Sequence, residues 1–148
     1  MIKDSGERRE FDTGAVRDIQ EGKGRCDLLP LEVVSVMLRY DNSLWYIEQF
    51  RRTNDSRWLF KAINSFGIKY YDHIETLILE VSKHFEEGAK KYGENNWQKG
   101  IPPSCYIDSA IRHYLKFRRG DNDEPHDRAF VWNLMCCIWE VDYHDKDN

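Results

Sequence analysis

The sequence predicts an all-α protein, a bundle of four to five helices. Apolar residues recur at steps of three and four in successive segments, and glycines and prolines close those segments off. The alternation that marks a half-buried strand is nearly absent. The 148 residues fit a single domain, 1–148, and an apolar share of 41% with 14% aromatic residues is enough for a sizeable core.

Taken in order, residues 1–26 are polar and carry Gly6, Gly14, Gly22 and Gly24, so they read as an ordered arm or loop and not as a core element. Within that arm, GAVRDIQEGKGR (Gly14 to Arg25) sets lysine and arginine around flexible glycines. A helix is expected from near Asp27, which can cap it, with Pro30 in its first turn and Leu31, Val34, Met37 and Leu38 at helical spacing. Leu44 to Phe50 reads equally as a strand or a short helix. Ser56 to Phe66 puts Trp58, Leu59, Ala62, Ile63 and Phe66 on one helical face, which Gly67 is expected to end.

The clearest helix runs from Asp72 to Lys91. Asp72 and Glu75 have capping-box spacing, and Ile74, Leu77, Ile78, Val81, Phe85, Gly88 and Tyr92 trace one stripe before Gly93 stops it. After the loop GENNWQKGIPP, a helix from about Ser104 to Arg119 carries Ile107, Ala110, Ile111 and Tyr114 on its apolar side. The acidic loop GDNDEP then leads into a last helix from about Pro125 to Tyr143.

Composition excludes several classes. With 22 basic against 26 acidic side chains and a net charge of -4, the chain lacks the excess of positive charge on which nonspecific nucleic-acid binding rests. No run approaches the ~20 apolar residues of a membrane span, and MIKDSGERRE holds no signal-peptide core. Cys26, Cys105, Cys136 and Cys137 form no CxxC pair, so buried thiols in a reducing cytoplasm are expected, not a disulfide framework or a zinc site. The absence of P-loop, GxGxxG, GxSxG and HExxH motifs argues against kinases, dinucleotide dehydrogenases and α/β-hydrolases.

Four constellations carry chemistry. On the long helix, Glu80, His84, Glu87 and Lys91 flank the apolar stripe on one side, and Glu75, Ser82 and Glu86 on the other. Such carboxylates can hold a divalent metal inside a bundle, or form a solvated face with pairs such as Glu87 and Lys91. In the following loop, Lys91, Tyr92, Asn95, Asn96, Trp97 and Lys99 can place ammonium groups on phosphates and a ring or amide on a base. The alternative is a surface loop held down by Trp97. Asp108 stands four residues before Arg112, as an ion pair or as a carboxylate aiming the guanidinium at a phosphate, with His113 about 100° away on the helix. Finally, Asp121, Asp123, Glu124, His126 and Asp127 open the last helix, where acids suit the helix dipole or, alternatively, magnesium. His126 and Asn133 share an otherwise apolar face and need buried partners.

Five stretches together resemble a known family: FDTGAVRDIQEGKGRCDLLPLE (11–32), FEEGAKKYGENNWQKGIP (85–102), DSAIRHYLKFRRG (108–120), DEPH (123–126) and AFVWN (129–133). The family is that of the phage dATP/dGTP diphosphohydrolases, small all-α relatives of the MazG-like nucleotide pyrophosphohydrolases. The resemblance implies a MazG-like bundle, working as a homodimer or homotetramer, that cleaves a purine deoxynucleoside triphosphate to the monophosphate and pyrophosphate with Mg2+ or Mn2+. It implies a place in the cytoplasm of a phage's host, supplying dGMP for 2-aminoadenine nucleotide synthesis and depleting dATP. The wider MazG-like pattern pairs an EExxE helix with an ExxD helix. Here Lys90 falls where the third acid would stand, and His126 and Ala129 occupy the ExxD spacing.

On this basis the expected metal ligands are Glu80, Glu86, Glu87, Asp123 and Glu124. The expected catalytic residues are Glu86 and Glu87 on the attacking water, with Lys91 and Arg112 on the phosphates. Lys23, Arg25, Tyr92, Asn96, Trp97, Lys99, His126 and Asn133 are expected to contact the nucleotide. Two other readings stay open from the sequence. One is an HD-type phosphohydrolase releasing orthophosphate, using His126–Asp127 or His144–Asp145. The other is a helical interaction module without enzymatic activity.

Overall fold

Six α-helices follow one β-hairpin in the residues, 6–144, that the computed structural model describes. The helices confirm the all-α expectation and exceed its count by at least one. The segment expected as an ordered arm or loop holds two short strands, and its Ala15 enters the core, which corrects the expectation that the arm stays outside it. Strands β1 (Arg8–Glu10) and β2 (Val16–Asp18) pair antiparallel with Arg9 opposite Arg17. Three-residue polar strands cannot display an apolar alternation, so no strand signal exists to be read. The turn closes with Gly14 at φ 88 and bonds from the Phe11 amide to Ala15 and from the Gly14 amide to Phe11. Ala15 beside it is completely buried in the core.

A 3-10 turn at Cys26–Leu28 precedes α1 (Leu31–Met37). Pro30, not Asp27, sits at the head of α1. The Asp27 carboxylate binds Arg25 instead. Of the residues expected to face inward, Leu31 is buried, whereas Met37 is exposed. The ambiguous 44–50 segment lies within α2 (Asn42–Thr53), because Asp41 caps it by accepting a 3.0 Å bond from the Leu44 amide. The same carboxylate takes bonds from the Tyr114 hydroxyl and, at 2.5 Å, from Arg118, tying the cap of α2 to α5 (Pro103–Arg119).

Helix α3 (Arg57–Tyr70) runs through Gly67 and does not end there. A Cβ at Gly67 would stand 2.8 Å from Ile74 Cδ1, so the missing side chain lets the start of the next helix approach. That helix, α4 (Ile74–Tyr92), begins behind His73, and no side-chain cap bond forms, so the Asp72–Glu75 box is not made. Leu77, Val81 and His84 are its buried positions, while Ile74 and Ile78 are exposed. Gly93 ends it at φ 90, as expected.

A second 3-10 turn (Asn96–Gln98) leads to α5, which Gly120 closes in the left-handed conformation, and α6 (His126–Asp142) completes the chain of elements. The core is aromatic where α3, α5 and α6 meet. Phe66 and Phe130 lie 5.0 Å apart, and Tyr114 and Phe130 4.8 Å, between ring centroids. Truncating one such ring in a core costs about 3–5 kcal/mol, the scale on which this cluster holds three helices together. Of the thiols expected inside, Cys136 and Cys137 are buried, and Cys26 and Cys105 are half-buried. Burial pushes the Cys137 thiol up to about 12. Among the described residues no helix is long and apolar enough to cross a membrane.

Candidate functional site

A cavity of about 700 Å3 opens between the hairpin, α4, the loop after it, α5 and α6. That volume is in the range of about 300–1,000 Å3 typical of small-molecule sites. Helix α5 builds its floor. Ile107, Ala110, Ile111 and Tyr114 turn into the core, which leaves Asp108, Ser109, Arg112, His113 and Lys116 on the cavity side.

The hairpin forms the opposite wall and is held by polar bonds. Asn95, left-handed at φ 65, turns the chain so that the Asn96 amide faces β2. Asn96 Oδ1 accepts from the Val16 amide and Nδ2 donates to the Val16 carbonyl, both at 2.9 Å, so one side chain mimics a neighbouring strand. Asp108, 2% exposed, accepts from Gln20 Nε2 at 2.8 Å, Arg112 Nη2 at 2.6 Å and the Asp27 amide at 3.1 Å. Arg112 in turn donates to the Gly24 carbonyl at 2.5 Å. Thr13 Oγ1 donates to the Gly100 carbonyl at 2.5 Å, where a Cβ on Gly100 would stand 2.7 Å from Thr13 Cγ2.

Of the expected site residues, Lys23, Tyr92, Asn96, Trp97, Arg112, Glu124 and Asn133 line this cavity. Three of them are engaged in holding the fold. Both amide ends of Asn96 are taken by Val16, Arg112 clamps the 23–24 loop to Asp108, and Trp97 packs between Phe85 and Trp139 at 5.4 and 5.0 Å. Asn133 donates to the Ala129 carbonyl at 2.8 Å and accepts from Arg17 at 3.2 Å. Glu80, Glu86, Glu87, Lys91, Arg25, Lys99, Asp123 and His126 are not among the lining residues. For the acids of α4 the reason lies in the face that the helix presents. His84, Phe85, Gly88, Ala89 and Tyr92 look into the cavity, so the acids beside that stripe point away from it. Glu80 pairs with Lys83 at 2.9 Å, Glu87 with Arg128 at 2.5 Å, and Glu86 is exposed.

The cavity contains groups that spacing did not single out. Arg9 and Arg17 project from the paired strands. Arg9 reaches Gln20 at 2.9 Å and Cys105 Sγ at 2.8 Å, and Arg17 reaches Ser109 at 2.8 Å and lies 5.1 Å over the Tyr106 ring. Lys116 adds a third cation one helical turn beyond Arg112. Trp132 and Phe85 join the expected Tyr92 and Trp97 as the aromatic part of the lining.

Three histidines from three helices complete the site. His126, whose side chain is fully buried, places Nδ1 2.9 Å from His113 Nδ1 and Nε2 2.8 Å from Asp123 Oδ1. Glu124 Oε1 stands 4.0 Å from His113 Nδ1. His84 lies against Trp132 with its Nδ1 buried and without a hydrogen-bond partner. Burial lowers His84 to about 4, and burial together with His126 holds His113 well below the usual imidazole range.

Among the described residues, two sets of donor atoms lie close enough to hold a metal ion, within 4.8 Å of one another: His113, Glu124 and His126, and Asp121, Asp123 and His126. Only the first includes cavity-lining residues. Asp121 of the second is occupied by a two-bond pair with Arg119 at 2.8 and 2.5 Å. The expected carboxylates therefore divide. Asp123 and Glu124 belong to these sets, and Glu80, Glu86 and Glu87 do not. The His126–Asp127 doublet does not form an HD-type set, because Asp127 accepts from the Tyr71 hydroxyl and belongs to neither group. In the other doublet, His144 pairs with Glu140 at 3.1 Å, and Asp145 lies outside the described residues.

Fold and cavity define an all-α protein with a charged, aromatic-lined cavity sized for a small ligand. A family model described as dATP/dGTP diphosphohydrolase, N-terminal, matches residues 68–148, and the chain belongs to that family of pyrophosphohydrolase enzymes. Membership sets aside the non-enzymatic alternative. No curated protein and no solved structure matches the chain. The matched segment holds α4, α5 and α6, while the hairpin that closes the cavity precedes it.

Two outcomes are expected. Asn96→Ala strands the Val16 peptide groups, at a cost of about 2 kcal/mol. Trypsin should then cut after Arg17 or Lys23 faster than in the parent protein while circular dichroism keeps its helical signal, and unchanged cleavage would contradict the clasp. The second concerns acid. The unfolded chain protonates its histidines near pH ~6.5, and His84 stays neutral until about pH 4, so stability is full above the first value and falls toward the second. In chelator-treated protein, His84→Leu should remove about 3 kcal/mol of the loss between pH 7 and 4 measured by urea unfolding. Equal slopes in variant and parent would refute the neutral, buried histidine.

Proposed function

We propose that the chain hydrolyses dGTP and dATP to the monophosphate and pyrophosphate in the cavity described above, in a metal-dependent reaction. The two-sided lining of the cavity carries the proposal. Arg17, Lys23 and Lys116 offer cationic groups to a triphosphate, and Phe85, Tyr92 and Trp132 offer ring faces to a purine. Water oxygen bonds to the α-phosphorus, the bond from that phosphorus to the bridging oxygen breaks, and pyrophosphate leaves with the electron pair while a proton passes to solvent.

The chain's own residues do three things in that reaction. The cations counter the charge that gathers on the leaving pyrophosphate. The hairpin keeps bulk water from the phosphates. Asp108 and Arg112 hold the loop that carries Lys23, and Asp18 holds its ammonium group at 2.9 Å. His113, Glu124 and His126 would hold a divalent ion, Mg2+ or Mn2+ by the resemblance. Such an ion supplies charge neutralisation on the triphosphate and a more acidic bound water.

The role assigned to the product, dGMP for 2-aminoadenine nucleotide synthesis in the host cytoplasm of a phage, rests on the resemblance. So does the view of residues 1–148 as one nucleotide pyrophosphohydrolase domain. Assembly as a homodimer or homotetramer has support on the surface, where Met37, Tyr40, Ile78 and Leu79 are more than half exposed. Light scattering on the eluting protein should give a mass of two or four chains, and the mass of one chain would refute assembly.

The reaction is tested by incubating pure protein with dGTP and, separately, dATP in the presence of Mg2+ or Mn2+ and separating the products by ion-exchange chromatography. Monophosphate and pyrophosphate in equal amounts are expected, with none after chelation. Orthophosphate as the first product would instead favour a phosphohydrolase of a different class.

A further inference from the structure

The donors that meet at the cavity edge are not those that a magnesium site uses. Magnesium takes oxygen ligands and keeps much of its water, whereas imidazole nitrogen suits iron, nickel, copper and zinc, and manganese stands at the weak end of the transition-metal order. Here two imidazoles and one carboxylate come together from α5, the turn before α6 and α6 itself. His113 lies on α5, Glu124 in the turn before α6, and His126 at the first position of α6.

The surroundings of His126 add a second observation. A metal-bound histidine usually donates its other ring N–H to a carboxylate, which fixes the ring's tautomer and direction. Asp123 stands 2.8 Å from His126 Nε2, on the side of the ring away from His113. That bond puts the proton on Nε2 and leaves the Nδ1 lone pair facing His113 Nδ1, 2.9 Å away, with the Glu124 carboxylate in the same group of donors. The ring cannot turn away, because its side chain is fully buried. Asp123 is itself more than one-third exposed, and His113 and Glu124 line the cavity, from which an ion reaches the site.

We infer that His113, Glu124 and His126 form a nitrogen-rich site for a transition-metal dication that prefers Mn2+ or Ni2+ to Mg2+, with Asp123 as the positioning residue that orients His126. The inference deepens the proposed function by naming the ion class at the same cavity, and it rests on that reading only for the ion's use in hydrolysis. Ion binding itself needs no nucleotide. Three protein donors leave coordination positions open toward the cavity, as a site that meets a substrate requires.

The test is isothermal titration of chelator-stripped full-length protein with MnCl2, NiCl2 and MgCl2, without nucleotide. Mn2+ and Ni2+ should bind at one site per chain, Ni2+ the more tightly, with Mg2+ weaker than both. His113→Ala and His126→Ala should abolish the binding, and Asp123→Asn should weaken it by about 10–100-fold. Glu80→Gln and Glu86→Gln should bind as the parent does. Circular dichroism checks each variant. If His126→Ala does not fold, His113→Gln and Asp123→Asn decide. Mg2+ binding as tightly as Mn2+, full Mn2+ affinity in the folded histidine variants, or loss of the site in Glu80→Gln or Glu86→Gln would overturn the inference. Those results would leave dGTP cleavage to pyrophosphate standing. Orthophosphate release from a protein that binds Mn2+ as expected would overturn the reaction and spare the site.

Discussion

The bidentate grip of Asn96 on the Val16 peptide turns a short polar hairpin into a wall of the cavity. A two-stranded hairpin in water is marginal by itself. This one gains a third partner in a side chain and a second anchor in Asp108, which gathers Gln20, Arg112 and the Asp27 amide onto one buried carboxylate. Without those bonds, Arg9, Arg17 and Lys23 would be surface cations on a loose strand. With them, three cations line one cavity together with α5.

Helix α5 is the element on which the two halves of the molecule agree. Its core side packs Tyr114 against Phe66 and Phe130, and its other side repeats polar groups at helical steps: Asp108, Arg112 and Lys116 in one row, Ser109 and His113 in the next. Burying a charged row next to an aromatic core is costly unless each group is paired. Asp108 and Arg112 meet that requirement through each other and through the hairpin. The hairpin and the helix therefore stabilise the same set of buried charges from opposite sides.

Helix periodicity makes α4 and α5 legible in the sequence, because each carries a long apolar stripe with a clear stop, and Pro125 marks where α6 begins. Gly93 and Gly120 end their helices as expected, both at positive φ. Gly67 has the same residue type but a different cause, the close approach of Ile74, and a one-dimensional pattern does not separate the two. The hairpin is out of reach for the same reason. Its register is set by Asn96, 80 residues further along the chain. At the site, the sequence picks out the Asp108–Arg112 pair, the Asn96–Trp97 loop and the acids before α6. It also places Glu80, Glu86 and Glu87 as ligands, since acids flanking an apolar stripe look equivalent until the stripe is seen to face a cavity. The approach of His113 to His126 depends on how α5 meets α6, which no spacing within either helix encodes.

Two kinds of group border one cavity, cations on the hairpin side and imidazole nitrogens near the start of α6. Anomalous diffraction at the manganese edge, from crystals grown with Mn2+ and a non-hydrolysable dGTP analogue, tests both at once. The expected result is a manganese peak between His113, Glu124 and His126, with the triphosphate running from it toward Arg17, Lys23 and Lys116. A manganese peak held by Glu80, Glu86 or Glu87 outside the cavity, with the nucleotide there as well, would contradict it.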